Sequence, residues 1–165
     1  MALDRRAAVA ALLEDRGELL VVSGLGSPTY DVHAAGDSDA SFYLWGAMGS
    51  AALIGLGLAQ ARPDSNVLAI TGDGEQLMGL GGLATIAVAR PKNLSIAVID
   101  NGHFGETGMQ RSHTGCGLDL AAVASACGFA ETGVAADPAI ITSRSCATVP
   151  EAWSLASRRP SGSAS

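Results

Sequence analysis

Two hydrophobic periods alternate along this chain. Short, largely apolar runs at residues 19–22, 66–71 and 94–99 are rich in Val, Ile and Leu, which is the pattern of strands buried on both faces. Between them lie segments with helical spacing. Residues 1–16 place Val9, Leu12 and Leu13 on one side and stop at Gly17. A helix of small residues opens at Gly46-Ala47-Met48-Gly49 and runs to about Ala61, closed by Pro63. Another spans 76–89 ahead of Pro91, and a further one 118–127. Residues 42–45 and 129–134 read as short strands, 27–41 as a polar, turn-rich connection, and 103–117 as a glycine-rich loop. Strand and helix alternate, so the expected fold is α/β: a doubly wound parallel sheet with helices on both faces.

Composition narrows this picture. At 165 residues, 48% hydrophobic and only 16% charged, the chain is a packed globular domain, and so few charges point to surface covered by a partner. The net charge of −6 and a single lysine, Lys92, argue against nucleic acid. No run approaches the roughly 18 apolar residues of a membrane span, and the charged, amphipathic start lacks the core of a signal peptide. Cys116, Cys127 and Cys146 are an odd number without CxxC spacing, which favours reduced thiols and a cytoplasmic location.

Chemistry concentrates at two strand ends. In an open parallel sheet, ligands bind beyond the carboxyl ends of the strands. One strand leads into Gly72-Asp73-Gly74 and the next into Asp100-Asn101-Gly102, with residues 75–99 between. A carboxylate, an amide oxygen and a loop carbonyl there form a hard-oxygen set suited to Mg2+. Gly72 and Gly74 would let backbone approach a diphosphate, with a helix N-terminus aimed at it. The pairs Gly24/Gly26 and Gly55/Gly57 do not complete a dinucleotide fingerprint.

Gly72-Asp73-Gly74 followed at this spacing by Asp100-Asn101 resembles the signature of thiamine diphosphate (ThDP) enzymes, in their diphosphate-binding domain. Asp100 replaces the first Asn of the family's pair. The segments 43–50, 77–81, 84–86, 91–94, 100–102 and 104–108 are most similar to the beta (small) subunits of sulfopyruvate and phosphonopyruvate decarboxylases, which also carry this Asp. The resemblance covers about 19–134. It implies Mg2+ held by Asp73, Asn101 and the backbone oxygen of His103, and Met48 as the apolar wedge beneath a bent cofactor. Gly46, Gly72, Gly74, Phe104 and Gly105 join the implied cofactor contacts, Glu75 is a further cofactor-binding candidate, and Met48 and His113 are the candidate catalytic residues. Glu75 either caps its helix or meets the cofactor. Glu106 either meets substrate or partner or is a solvated loop carboxylate. Arg111 and His113 either attract an anionic substrate and relay a proton or lie on a surface loop, and His33 is a weaker candidate in a polar loop.

The resemblance further implies a lyase, a subunit that decarboxylates a small 2-oxo acid with an anionic tail. A pyrimidine-domain (alpha) subunit would supply the other half of the site, making a hetero-oligomer inactive without its partner. Alternatives are another split ThDP enzyme, acetolactate-synthase-like or a 2-oxo acid oxidoreductase, or a non-catalytic remnant. Residues 1–138 would form the ThDP-binding domain. Residues 139–165 depart from the family: rich in Ser, Arg and Ala and closing with 158–165, they read as an altered or disordered tail. Either the natural end is changed, for instance by a frameshift, or a partner completes the sheet.

Overall fold

A computed structural model of the protein describes residues 3–135 and 151–156. Six strands form one parallel sheet: β1 (Leu20–Ser23), β2 (Ser41–Tyr43), β3 (Val67–Gly72), β4 (Leu94–Asp100), β7 (Glu131–Ala135) and β8 (Glu151–Ala156), ordered β2-β1-β3-β4-β8-β7. The central strands show why continuous apolar runs belong here. Leu68 and Ile70 of β3 and Ala97 and Ile99 of β4 enter one core, together with Val9 and Val32. Their neighbours Val67, Ala69, Ile96 and Val98 enter a second core on the opposite face. With a side-chain period of two, a strand feeding both cores favours apolar residues at nearly every position.

Helices α1 (Arg5–Leu12) and α2 (Ser27–Ala34) cover the first face. The second is covered by α3 (Ala51–Ala61), α5 (Gly81–Ala89) and α6 (Leu120–Cys127). Asp4 caps α1, accepting from the Ala7 N–H at 2.8 Å. No helix among the described residues is long and apolar enough to cross a membrane.

Three expectations are corrected. Residues 27–41 are not simply a turn, because α2 occupies their first half. Pro28 stands in its first turn, where a missing N–H costs nothing. Its Asp31 is buried, and Arg5 Nε (2.6 Å) and Arg6 Nε (3.3 Å) reach its carboxylate from α1. Second, the helix expected over 76–89 is two helices, α4 (Asp73–Met78) and α5. The break falls at Gly79, whose backbone lies against Gly49; a Cβ there would stand 1.9 Å from the Gly49 carbonyl oxygen. Third, the loop 103–117 contains a small antiparallel ribbon, β5 (His103–Phe104) with β6 (Gln110–Arg111), around a 3-10 turn. Within the tail set apart by sequence, Glu151–Ala156 pairs in parallel with both β4 and β7. Residues 158–165 and Cys146 lie outside the described residues.

Asn93 seals the end of α3 from the neighbouring strand. Its Nδ2 lies 3.1, 3.0 and 2.7 Å from the carbonyl oxygens of Ala59, Arg62 and Ser65. One amide group has two hydrogens, so it serves two of these acceptors well or three partially. Asn93→Ala is expected to lower stability by about 1 kcal/mol, seen as a lower urea midpoint at an unchanged slope.

Candidate cofactor and metal site

Parallel pairing of β3 with β4 aligns Gly72 with Ile99, so Asp73, directly after β3, and Asp100, the last residue of β4, stand level at adjacent strand ends. Both are buried, at 2% and 3% exposure. The ribbon 103–111 and the turn after it bring two hydroxyls between them. Ser112 Oγ donates to Asp73 Oδ2. Thr114 Oγ1 lies 3.0 Å from the same oxygen and 2.7 Å from Asp100 Oδ1. The two hydroxyls are also 2.9 Å from each other. Two hydroxyl protons therefore serve three carboxylate contacts, and Thr114 can donate to one aspartate only at the expense of the other.

This leaves Asp73 with excess negative charge. Burial pushes its pKa up, and the nearby Asp100 pushes it further. Ser112, Thr114 and the Asn101 backbone N–H pull it back down. Among the described residues no ion pair reaches Asp73. A divalent cation would relieve what hydrogen bonds only partly offset, so the site fits a metal. No cluster of three or more His, Cys, Asp or Glu suited to a metal occurs among the described residues. Beside Asp73, amide and backbone oxygens could join phosphate and water oxygens in a Mg2+ shell. Asn101 is exposed, and its Oδ1 accepts from the His103 N–H at 2.8 Å, leaving the second lone pair of that oxygen for a cation. His103 Nδ1 stands 2.9 Å from the Asn101 carbonyl oxygen, a bond made when Nδ1 carries the proton.

The other candidate residues distribute as follows. Gly72 is open, with no atom within 4 Å of a Cβ built there. Gly74 is not: the Phe104 ring fills its side-chain space, with Cδ1 2.6 Å from such a Cβ. The bare backbone at 74 thus receives Phe104 rather than the open approach expected for a diphosphate. The helix that was to aim its N-terminus is the six-residue α4, whose dipole is correspondingly small. Gly46 and Gly105 are exposed, and Met48 is 38% exposed in the turn between β2 and α3.

Glu75 stands in the first turn of α4, where the helix dipole favours a carboxylate, and it faces inward. It is 3% exposed, and its carboxylate accepts from the N–H groups of Leu25 (3.1 Å) and Gly49 (3.3 Å) and from Thr71 Oγ1 (2.8 Å). His113 is exposed between the buried Ser112 and Thr114, and Arg111 turns its guanidinium to the Gly115 carbonyl. Glu106 lies on Gly26, its Oε1 3.5 Å from Ser27 Oγ. His33 belongs to the last turn of α2, 3.9 Å from Asp37, and has no part in this cluster.

Sequence reasoning missed Ser112 and Thr114. The available signal was the alternation Arg111-Ser112-His113-Thr114, which reads exposed, buried, exposed, buried. Attention to the basic members passed over the hydroxyls that face inward.

Known proteins share both sequence and fold with this chain. The family model described as "Thiamine pyrophosphate enzyme, C-terminal TPP binding domain" matches residues 32–145. Sulfopyruvate decarboxylase subunit beta of Methanocaldococcus jannaschii is 41% identical over 122 residues, covering 73% of this chain and 64% of that protein. Phosphonopyruvate decarboxylase of Streptomyces hygroscopicus is 46% identical over 109 residues, covering 66% of this chain and 27% of that protein. The chain thus spans less than two thirds of either relative. Among solved structures, the thiamine diphosphate-dependent 4-hydroxybenzoylformate decarboxylase of Rhodococcus jostii RHA1 has a TM-score of 0.77 at 20% identity. That likeness, over 94% of this chain and 32% of the other, is one of fold.

Proposed function

Because this chain belongs to the thiamine pyrophosphate enzymes through their C-terminal TPP-binding domain, we propose that it is the ThDP- and Mg2+-holding subunit of a 2-oxo acid decarboxylase, acting on a small acid with a sulfonate or phosphonate tail. The observation that carries this reading is the buried Asp73, short of positive charge beside Asp100, at a strand end facing the backbone of Asn101. The relatives named as beta subunits support a heteromeric enzyme whose pyrimidine side comes from an alpha-type chain. Cys116 and Cys127 are free thiols, in keeping with a cytoplasmic setting.

When bound, the cofactor supplies the electron sink that lets CO2 leave a 2-oxo acid. The chain's own residues anchor and orient it. Asp73, the Asn101 amide oxygen and the His103 carbonyl would hold Mg2+ and, through it, the diphosphate. Ser112 and Thr114 fix the Asp73 carboxylate. Met48, on its exposed turn, would support the cofactor's ring end. Trp45, at 94% exposure, and Met78, at 62%, flank that turn and offer apolar surface to the alpha chain. Arg111 and His113 are exposed on the segment that also carries Ser112 and Thr114, placed to attract an anionic tail.

The test is CO2 release from sulfopyruvate and phosphonopyruvate by the full chain co-expressed with a pyrimidine-domain subunit, with ThDP and Mg2+. Turnover of one acid and none by the chain alone is the expected result. Tight ThDP·Mg2+ binding by the complex without CO2 from either acid would sink the substrate reading. Absence of ThDP binding would sink the cofactor role.

A further inference from the structure

We propose that Glu75 is a positioning residue for the cofactor, fastening the turn that carries Met48 and so setting ThDP affinity without touching the metal. This rests on the reading of Met48 given above. The strand order makes β1 and β3 neighbours, while the chain passes out to β2 and back between them. A crevice at such a switch point is where open α/β sheets bind ligands. Glu75 spans it. From the first turn of α4 its carboxylate takes Leu25 N–H after β1, Gly49 N–H after β2 and Thr71 Oγ1 at the end of β3. Gly24 is bare where that carboxylate passes: a Cβ there would lie 1.8 Å from Glu75 Oε2.

The turn needs such a fastening. Ala47 has φ 53° and Gly49 φ 97°, and a non-glycine residue in the left-handed region costs roughly 1 kcal/mol or more. Inside the turn, one backbone bond links Ser50 N–H to Ala47 O at 3.1 Å. Among the described residues, the side-chain hydrogen bond to residues 46–50 is the one from Gly49 to Glu75, and Gly49 directly follows Met48. Gly79 closes the other side, backbone against backbone.

A carboxylate suits this post and an amide does not. Three donors converge on it, and both oxygens accept, each bond strengthened by the charge. In Glu75→Gln one acceptor becomes an NH2 that faces either the Gly49 N–H or the pair of Leu25 and Thr71. Facing Gly49, where it displaces one donor rather than two, the NH2 would cost the Met48 turn its tether, while Asp73 and the strand ends at β3 and β4 keep their own network.

The experiment separates these two halves of the site by ligand. Affinities for ThDP·Mg2+ and for inorganic pyrophosphate·Mg2+ are measured by calorimetry on the full chain with its alpha subunit. Glu75→Gln is expected to weaken ThDP about tenfold, in the range found for residues behind a ligand shell, and to leave pyrophosphate within about twofold of wild type. Met48→Ala should show the same split, and the double variant little more than either single one, since both act through one turn. If Glu75→Gln does not purify folded, Glu75→Asp, one methylene too short to reach all three donors, is read in the same way. Parallel weakening of both ligands would reduce Glu75 to a general stabiliser and overturn the inference, as would unchanged ThDP affinity. A wild-type complex that binds pyrophosphate but not ThDP would instead remove the Met48 reading beneath it.

Discussion

Asp73→Asn is expected to raise the melting temperature of the metal-free protein by a few degrees while lowering ThDP·Mg2+ affinity at least 100-fold, about 2.7 kcal/mol. The opposite signs come from one cause. Asp73 is a buried carboxylate whose pKa is raised above 3.8, first by burial and next by Asp100. An acid with a raised folded-state pKa binds its proton more tightly folded than unfolded. Its penalty is absent below pH 3.8, grows as pH rises from 3.8 to the raised value, and is complete above it. In chelator, wild-type stability should therefore fall through that window more than that of the Asn variant, whose side chain does not titrate. Saturating Mg2+ should erase the difference for wild type and do nothing for the variant. Thermal melts against pH, with chelator and with Mg2+, read this directly. An Asn variant that melts below wild type in chelator, or still binds ThDP in a Mg2+-dependent way, would contradict the assignment.

Thr114→Val should have the larger effect on the fold itself. The change keeps the shape but removes a hydroxyl that lies within reach of both Asp73 and Asp100. Asp73 would keep Ser112, and Asp100 would keep the Gly102 N–H at 3.0 Å. Two buried carboxylates would then share one donor fewer, a loss of about 2–3 kcal/mol for a hydrogen bond to a charged group. Neutralising one of them should return part of it, so Thr114→Val with Asp100→Asn is expected to be more stable than Thr114→Val alone. Added Mg2+ should also narrow the deficit. Urea titrations of the four proteins in this cycle measure the coupling; strict additivity would show that Thr114 does not bridge the pair.

Much of the fold was legible because the central strands have no choice of residue. Leu68 and Val67 point to different cores, and so do Ile99 and Val98, so both faces demanded apolar side chains and the runs could not be misread. The placement of Asp73 and Asn101 at adjacent strand ends was legible for a related reason: the apolar runs stop just before these polar residues. What escaped had its partners far away in sequence. Asp31 lies in a stretch that read as a polar turn, and its partners Arg5 and Arg6 come from another helix. Glu75 read as a helix cap or a cofactor contact, and its partners Leu25 and Gly49 are 50 and 26 residues off. Ser112 and Thr114 meet Asp73 across 39 and 41 residues. The divided helix at Gly79 depended on backbone contact with Gly49, which no local propensity encodes.

The position of β8 bears on how the chain is made. It lies between β4 and β7, yet both of those precede it along the chain. During synthesis from the N-terminus, the strands β1 to β4 can pair as they emerge, but the outer edge of β4 must wait with its backbone groups unsatisfied. β7 cannot cover that edge, because its place is one strand further out. An open apolar edge of this kind is a template for pairing with other chains. Nascent molecules are therefore exposed to aggregation from the completion of β4 until residues 151–156 leave the ribosome, and a chaperone holding that edge would protect them over that interval.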